Sequence, residues 1–140
     1  MIVLDTNVLS EIMRPPAKRS TVVFGWLSAQ PGEDLFTTAL TTAELLAGVA
    51  VLPEGRRKKE LGQGVARMAA LFDSRILPFD YPAAAHYAEL RAARRRTGRP
   101  VGDFDTMIAA IARANRMAVA TRNVEDFADC GVDLINPWES

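Results

Sequence analysis

The stretch Met1-Ile2-Val3-Leu4-Asp5-Thr6-Asn7 decides how the rest of the chain is read. Its four apolar residues run without alternation and stop at an acid. That pattern suits a strand covered on both faces, the usual environment of parallel strands. Asp5 or Thr6 then caps a short helix carrying Val8, Leu9, Ile12 and Met13, which Pro15-Pro16 ends. The alternation continues downstream. A helix is predicted over 20–30, with Val22, Val23, Trp26 and Leu27 on one side, then a strand over 35–40. The next helix begins at Thr41 or Thr42 and closes before Pro53. An amphipathic helix follows over 54–73, weakened at Gly62 and Gly64, with Arg56-Arg57-Lys58-Lys59 turned away from its apolar face. Residues 76–79 read as a short strand whose Pro78 marks a sheet edge. A helix over 82–97 turns basic toward its end, which complements the helix dipole. A loop is expected over 98–104 and a helix over 105–116, the latter so rich in small and apolar residues that it must be buried. A strand over 117–120, a turn of helix over 124–128 and a last strand over 132–135 complete the chain. Strands alternating with helices define an α/β domain with a mainly parallel sheet.

Composition narrows the chemistry. The 140 residues suit one domain, and 49% hydrophobic with 24% charged residues is a globular balance. The lone Cys130 and lone His86 leave neither a disulfide nor a thiolate or histidine metal cage, and His86 reads as packing or surface. A bound metal would need carboxylate, amide or water oxygens, which selects hard cations such as magnesium or manganese. Seventeen basic residues balance seventeen acidic ones, which excludes the overall basic field of a nucleic-acid coating protein. Fourteen of the cations are arginine, suited to bidentate phosphate contact. They concentrate in Arg91, Arg94, Arg95, Arg96 and Arg99, which read either as a solvated helix face or as a phosphate-binding strip. Met1-Ile2-Val3-Leu4 meets Asp5 at once with no basic leader, and no run approaches the ~18 apolar residues of a membrane span. The expected location is the cytoplasm.

Ligand sites in open parallel sheets form beyond the carboxyl ends of the strands. That rule gathers Asp5 after the first strand, Glu44 in the helix after the second, Asp105 at the start of the buried helix, and Asn123 with Asp126 after the fourth strand. Each has a plainer explanation. Asp5 and Asp105 suit N-caps, Thr41 and Glu44 have capping-box spacing, and Asn123 and Asp126 suit the turn before Phe127. Capping alone does not explain why all of them fall on one edge of one sheet. Carboxylates brought that close repel, and a divalent cation would offset the repulsion.

Four motifs in order, Ile2-Val3-Leu4-Asp5-Thr6-Asn7, Thr41-Thr42-Ala43-Glu44-Leu45-Leu46-Ala47-Gly48, Asp105-Thr106-Met107-Ile108-Ala109-Ala110-Ile111-Ala112 and Ala120-Thr121-Arg122-Asn123-Val124-Glu125-Asp126-Phe127, resemble those of a PIN domain. The resemblance runs over essentially the whole chain and is closest to the VapC/FitB-type toxins of bacterial type II toxin–antitoxin systems. It implies an α/β/α sandwich and a magnesium-dependent ribonuclease held inactive by a cognate antitoxin. It maps the family's acids onto Asp5, Glu44 and Asp105. The fourth position, often aspartate in the family, is Asn123 here, so either Asp126 supplies the charge or Asn123 coordinates through its amide oxygen. Asp103 is a further loop acid near the rim.

On that reading Asp5 and Asp105 hold the metal, while Glu44 and Asp126 act through water. Thr6, Thr121 and Asn7 orient the carboxylates or fix the first turn. Single-stranded RNA would track Arg94, Arg95 and Arg96, with Arg14 and Arg122 near the acids as phosphate contacts or counter-charges. The apolar surface of the early helices serves either the core or an interface for a homodimer and an antitoxin helix. Two phosphotransfer folds fit less well. A receiver domain needs a late lysine, and the lysines are Lys18, Lys58 and Lys59; a dehalogenase-type phosphatase needs a second aspartate where Asn7 stands. A non-catalytic RNA- or protein-binding module is the remaining alternative.

Overall fold

The computed structural model describes residues 1–98 and 102–140. Five strands, β1 (Ile2–Leu4), β2 (Leu35–Thr38), β3 (Ile76–Leu77), β4 (Ala118–Ala120) and β5 (Leu134–Ile135), form one sheet in the order β3-β2-β1-β4-β5. Every pairing is parallel, and β1 registers Ile2, Val3 and Leu4 against Ala118, Val119 and Ala120 of β4. Among the described residues six α-helices cover it: α1 (Thr6–Ile12), α2 (Thr21–Ser28), α3 (Ala39–Ala50), α4 (Arg56–Phe72), α5 (Tyr81–Arg96) and α6 (Asp103–Ala114).

The alternation of side chains along each strand divides the interior into two cores. Val3, Phe36, Leu77, Val119 and Leu134 point to one face, against Leu90 of α5 and Ile108 of α6. Their neighbours Leu4, Leu35, Ile76, Ala120 and Ile135 point to the other, against Val8 and Leu9 of α1, Val23 of α2 and Val65 and Met68 of α4. This is the three-layer α/β/α sandwich expected from the sequence. Both faces of β1 are dry, which is why its sequence is a continuous apolar run. The edge position given to the strand containing Ile76 and Leu77 is also found, and α4 runs unbroken through Gly62 and Gly64.

Several boundaries shift by a few residues from expectation, and two of the shifts bear on the site. Helix α3 starts at Ala39, because Thr38 caps it by accepting from the Thr41 N–H at 3.0 Å. The capping box of Thr41 with Glu44 therefore does not form, and Glu44 lies in the second helical turn. Helix α6 starts at Asp103, within the stretch expected to be a loop, with Gly102 as its N-cap. Asp105 is thus inside the first turn and is not a cap. Of the predicted basic strip, Arg99 lies outside the described residues.

Strand order reverses between β1 and β4. In an open α/β sheet the crevice beyond the carboxyl ends of the strands at such a reversal is where ligands bind. Asp5 follows β1 directly and Thr121 follows β4 directly, so the topology sets these two residues side by side at that point.

Candidate active site

Asp5 is buried, and its carboxylate is held from three sides. Its Oδ1 accepts from the Thr6 N–H at 2.8 Å, and its Oδ2 accepts from the Thr121 hydroxyl at 2.8 Å and the Asn7 amide at 3.4 Å. Asn7 in turn accepts from the Arg122 N–H at 3.1 Å, while Thr121 Oγ1 accepts from the Asn123 N–H at 3.0 Å. These bonds lock the loop after β4 onto the first turn of α1. Asp5 therefore does cap α1, as the plainer explanation had it, yet only Oδ1 is used for that purpose. From α3, Glu44 reaches the same place, with its Oε1 accepting from the Thr6 hydroxyl at 2.8 Å.

Asp105 completes the group from α6. Burial first, and then the negative charges of Asp5, Asp126 and Glu44, push its carboxyl up to about 6; the Arg94 guanidinium works the other way. Asp5 is also raised, chiefly by burial and in smaller part by Asp126, against the bonds from Thr121 and Thr6 that favour its charged form. The four acids thus share one field, and the excess negative charge is the feature a cation would relieve. Asp5, Glu44, Asp105 and Asn123 open on a single cavity of about 610 Å³, whose remaining wall includes Ser10, Arg14, Arg122 and Trp138. Asp126 lies outside that lining, and its charge raises both Asp5 and Asp105.

The donor set suits a hard divalent cation, since it is all oxygen and carries more negative charge than its surroundings balance. Among the described residues, no three acidic, histidine or cysteine side chains form a ready-made metal cage.

The predicted RNA contacts separate in the structure. Arg95 and Arg96 are exposed, but Arg94 turns inward, its Nη2 donating to the Asp126 carbonyl at 2.7 Å and the Ala128 carbonyl at 3.4 Å. Arg122 lies on the cavity rim with its guanidinium 5.0 Å from the Trp138 ring centroid. Asp103 faces away, accepting from Tyr87 and pairing with Arg91. His86 is half-buried, in keeping with a packing role.

Three cavity residues have no counterpart in the sequence reading: Ser10, Glu11 and Trp138. Burial pushes the Glu11 carboxyl up, but the Ser20 N–H at 2.8 Å and Arg14 at 3.2 Å outweigh it and hold the group below its ordinary range. Helical spacing from Asn7, four residues before it on α1, would have pointed to Glu11. Nothing local distinguishes Trp138 from a core tryptophan. A second, apolar cavity of about 460 Å³ adjoins the first, sharing Thr6, Ser10, Arg14 and Glu44 and continuing between Met13, Leu45, Val49 and Leu61.

An acid-lined crevice at the reversal of a five-stranded parallel sheet is the arrangement of the PIN domain; residues 2–131 match that family, and the chain belongs to it. The four motifs pointed to this family. It is 41% identical to the VapC ribonuclease Y4jK of Sinorhizobium fredii and 41% identical to the toxin FitB of Neisseria gonorrhoeae, over 99% of both chains in each case. The crystal structure of FitAcB from Neisseria gonorrhoeae matches it with a TM-score of 0.91 at 40% identity, covering 100% of each chain.

Proposed function

We propose that this chain is a magnesium-dependent endoribonuclease and the toxin of a type II toxin–antitoxin pair, active in the cytoplasm. The observation that carries the reading is the convergence of Asp5, Glu44 and Asp105 on one cavity from three separated stretches of chain. Asp5 and Asp105 would hold the ion; magnesium, or manganese in its place, would neutralise phosphate charge and acidify a water. Glu44, oriented by the Thr6 hydroxyl, is placed to align the attacking water. Asp126 adds negative charge, and the exposed Asn123 amide offers a neutral oxygen where the family often has aspartate. Thr121 and Asn7 keep Asp5 in register. Arg122, Arg95 and Arg96 supply exposed cations for the RNA backbone, while Arg94 supports the loop that carries Asp126.

The names of the relatives, a ribonuclease and a toxin, support the activity and the biological role. The apolar cavity beside the acids supports an antitoxin partner, since a segment seated there would also cover the catalytic crevice. Exposed Val22 and Phe24 on α2 supply surface for a homodimer, whose existence light scattering would decide.

Cleavage of single-stranded RNA by purified protein tests the reading. Activity should vanish with chelator, return with magnesium or manganese, and fall on the order of 100-fold or more in Asp5→Asn and Asp105→Asn. Wild-type rates in either variant would overturn it. Growth arrest on expression, relieved by co-expressing the antitoxin, is the cellular counterpart. The rival reading, a PIN-fold module that binds RNA or protein without cutting, is favoured by Asn123 standing where an acid is usual; it predicts RNA binding with no metal-dependent cleavage.

A further inference from the structure

We propose that Trp138 is a positioning residue for substrate, holding the Arg122 guanidinium at the mouth of the acid cavity so that it receives an RNA phosphate beside the scissile bond. The inference rests on the ribonuclease reading above and names how one wall of that site meets the substrate.

Both residues line the cavity, and the Arg122 guanidinium lies 5.0 Å from the Trp138 ring centroid, a cation–π geometry. Trp138 is fixed independently of Arg122. Asn136 caps the 3-10 helix Pro137–Glu139 by accepting from the Trp138 N–H at 3.0 Å, Pro137 is buried, and the Trp138 ring packs on the core beneath α1 and α2. Arg122 is exposed, and its backbone is fixed to Asn7. Its long side chain would otherwise sample solvent freely, and holding it costs rotamer entropy. Stacking on a ring already fixed by the fold lowers that cost when phosphate arrives. The planar fork still has N–H groups free to bind an anion, because stacking uses the face of the guanidinium and not its edge. The placement matters electrostatically as well. Asp5, Glu44 and Asp105 repel a polyanion, and Arg122 is a cation on the same cavity wall as those acids.

The test compares wild type, Arg122→Ala, Trp138→Ala, Trp138→Phe and the double alanine variant. Binding of a labelled single-stranded RNA is followed by anisotropy in chelator, where no cleavage occurs, and steady-state cleavage is followed in magnesium. Arg122→Ala should weaken binding about tenfold and lower the slope of log K against log salt by ~0.7, the loss of one phosphate contact. Trp138→Ala should weaken binding roughly two- to fivefold, raise KM with kcat within about twofold, and reduce the salt slope in the same direction. In the Arg122→Ala background the same change should cost less than about twofold, and Trp138→Phe should restore most of the binding. A salt slope at the wild-type value in Trp138→Ala, or losses that simply add in the double variant, would overturn the proposal. If a folding defect lowers the Trp138→Ala melting temperature, Trp138→Phe and the coupling measured in the double variant decide. Wild-type protein that neither binds nor cuts RNA would overturn the ribonuclease reading and this one together; wild-type cleavage with an uncoupled Trp138 would overturn this one alone.

Discussion

The Thr121 hydroxyl donates to Asp5 Oδ2 at 2.8 Å, joining residues 116 positions apart at the adjacent ends of β1 and β4. Both are buried, and the same hydroxyl oxygen accepts from the Asn123 N–H. Replacing Thr121 by Val keeps the shape and removes every one of these bonds. Leaving the buried Asp5 carboxylate short of a partner costs about 1–3 kcal/mol. Thr121→Val should therefore unfold at lower urea, and its RNA cleavage should fall roughly 10- to 100-fold, as for loss of a group that orients a metal-ligating carboxylate. Unchanged urea midpoint and rate would show that the hydroxyl does not organise the site.

Arg94 should behave as a structural support for the loop. Its guanidinium lies on the carbonyls of Asp126 and Ala128 and 2.6 Å from the Cys130 sulfur, and so ties α5 to the segment after β4. All three contacts come from the one nitrogen Nη2, at the far end of the side chain. Lysine carries its ammonium on a shorter stem and methionine has no donor, so neither sets an N–H at that point. Arg94→Lys and Arg94→Met should each lose ~1–3 kcal/mol of stability and speed amide hydrogen exchange over residues 126–130. Exchange at the wild-type rate there would contradict the assignment.

Particular residues explain what the sequence disclosed and what it hid. The strand before Asp5 was legible because both faces of β1 are dry, leaving a continuous apolar run; α6 was legible for the same reason. The acids were legible because strand ends fix them by topology. Glu44 was found, but in the wrong helical turn, since Thr38 and Thr41 are equally good caps and only the end of β2 decides between them. The start of α6 at Asp103 was hidden by Gly102, a residue that reads as a loop and here serves as a cap. Arg94 and its neighbour Arg95 read as equivalent, yet helix phase turns one inward and the other out. Trp138 reaches the cavity through tertiary packing alone, which leaves no local pattern to read.

Packing behind Asp105 leads to a prediction about activity at a distance. Ala109 is wholly buried in the core shared by α6 and the sheet, one turn from Asp105. Leucine at this position adds volume that a close-packed interior cannot take without moving the helix, at a cost of typically 1–3 kcal/mol. Ala109→Leu should lower the melting temperature and reduce cleavage while leaving every carboxylate in place. A destabilised protein with full activity would show that α6 tolerates displacement.

Asp105, raised first by burial and then by the acids around it, should make the metal-free protein less stable at neutral pH. Asp105 ordinarily titrates near 3.8 and is raised to about 6 in the fold. Between those values the folded state binds more protons than the unfolded state, so stability falls as pH rises through this window and the full penalty is present above about 6. The side chain is only half-buried, and water on its open side screens the repulsion, which leaves about 1–2 kcal/mol. Asp105→Asn removes the titrating group. It should match wild type in stability near pH 4 and exceed it at pH 7, so the difference between the two proteins isolates Asp105 from every other acid. Magnesium should close that gap by stabilising wild type at pH 7 and should have little effect near pH 4.5, where the carboxyl is mostly protonated. Urea denaturation in chelator and in magnesium across pH 4–7.5 measures each quantity. A constant difference between wild type and Asp105→Asn over that range would mean that neither burial nor the neighbouring acids raise the Asp105 carboxyl.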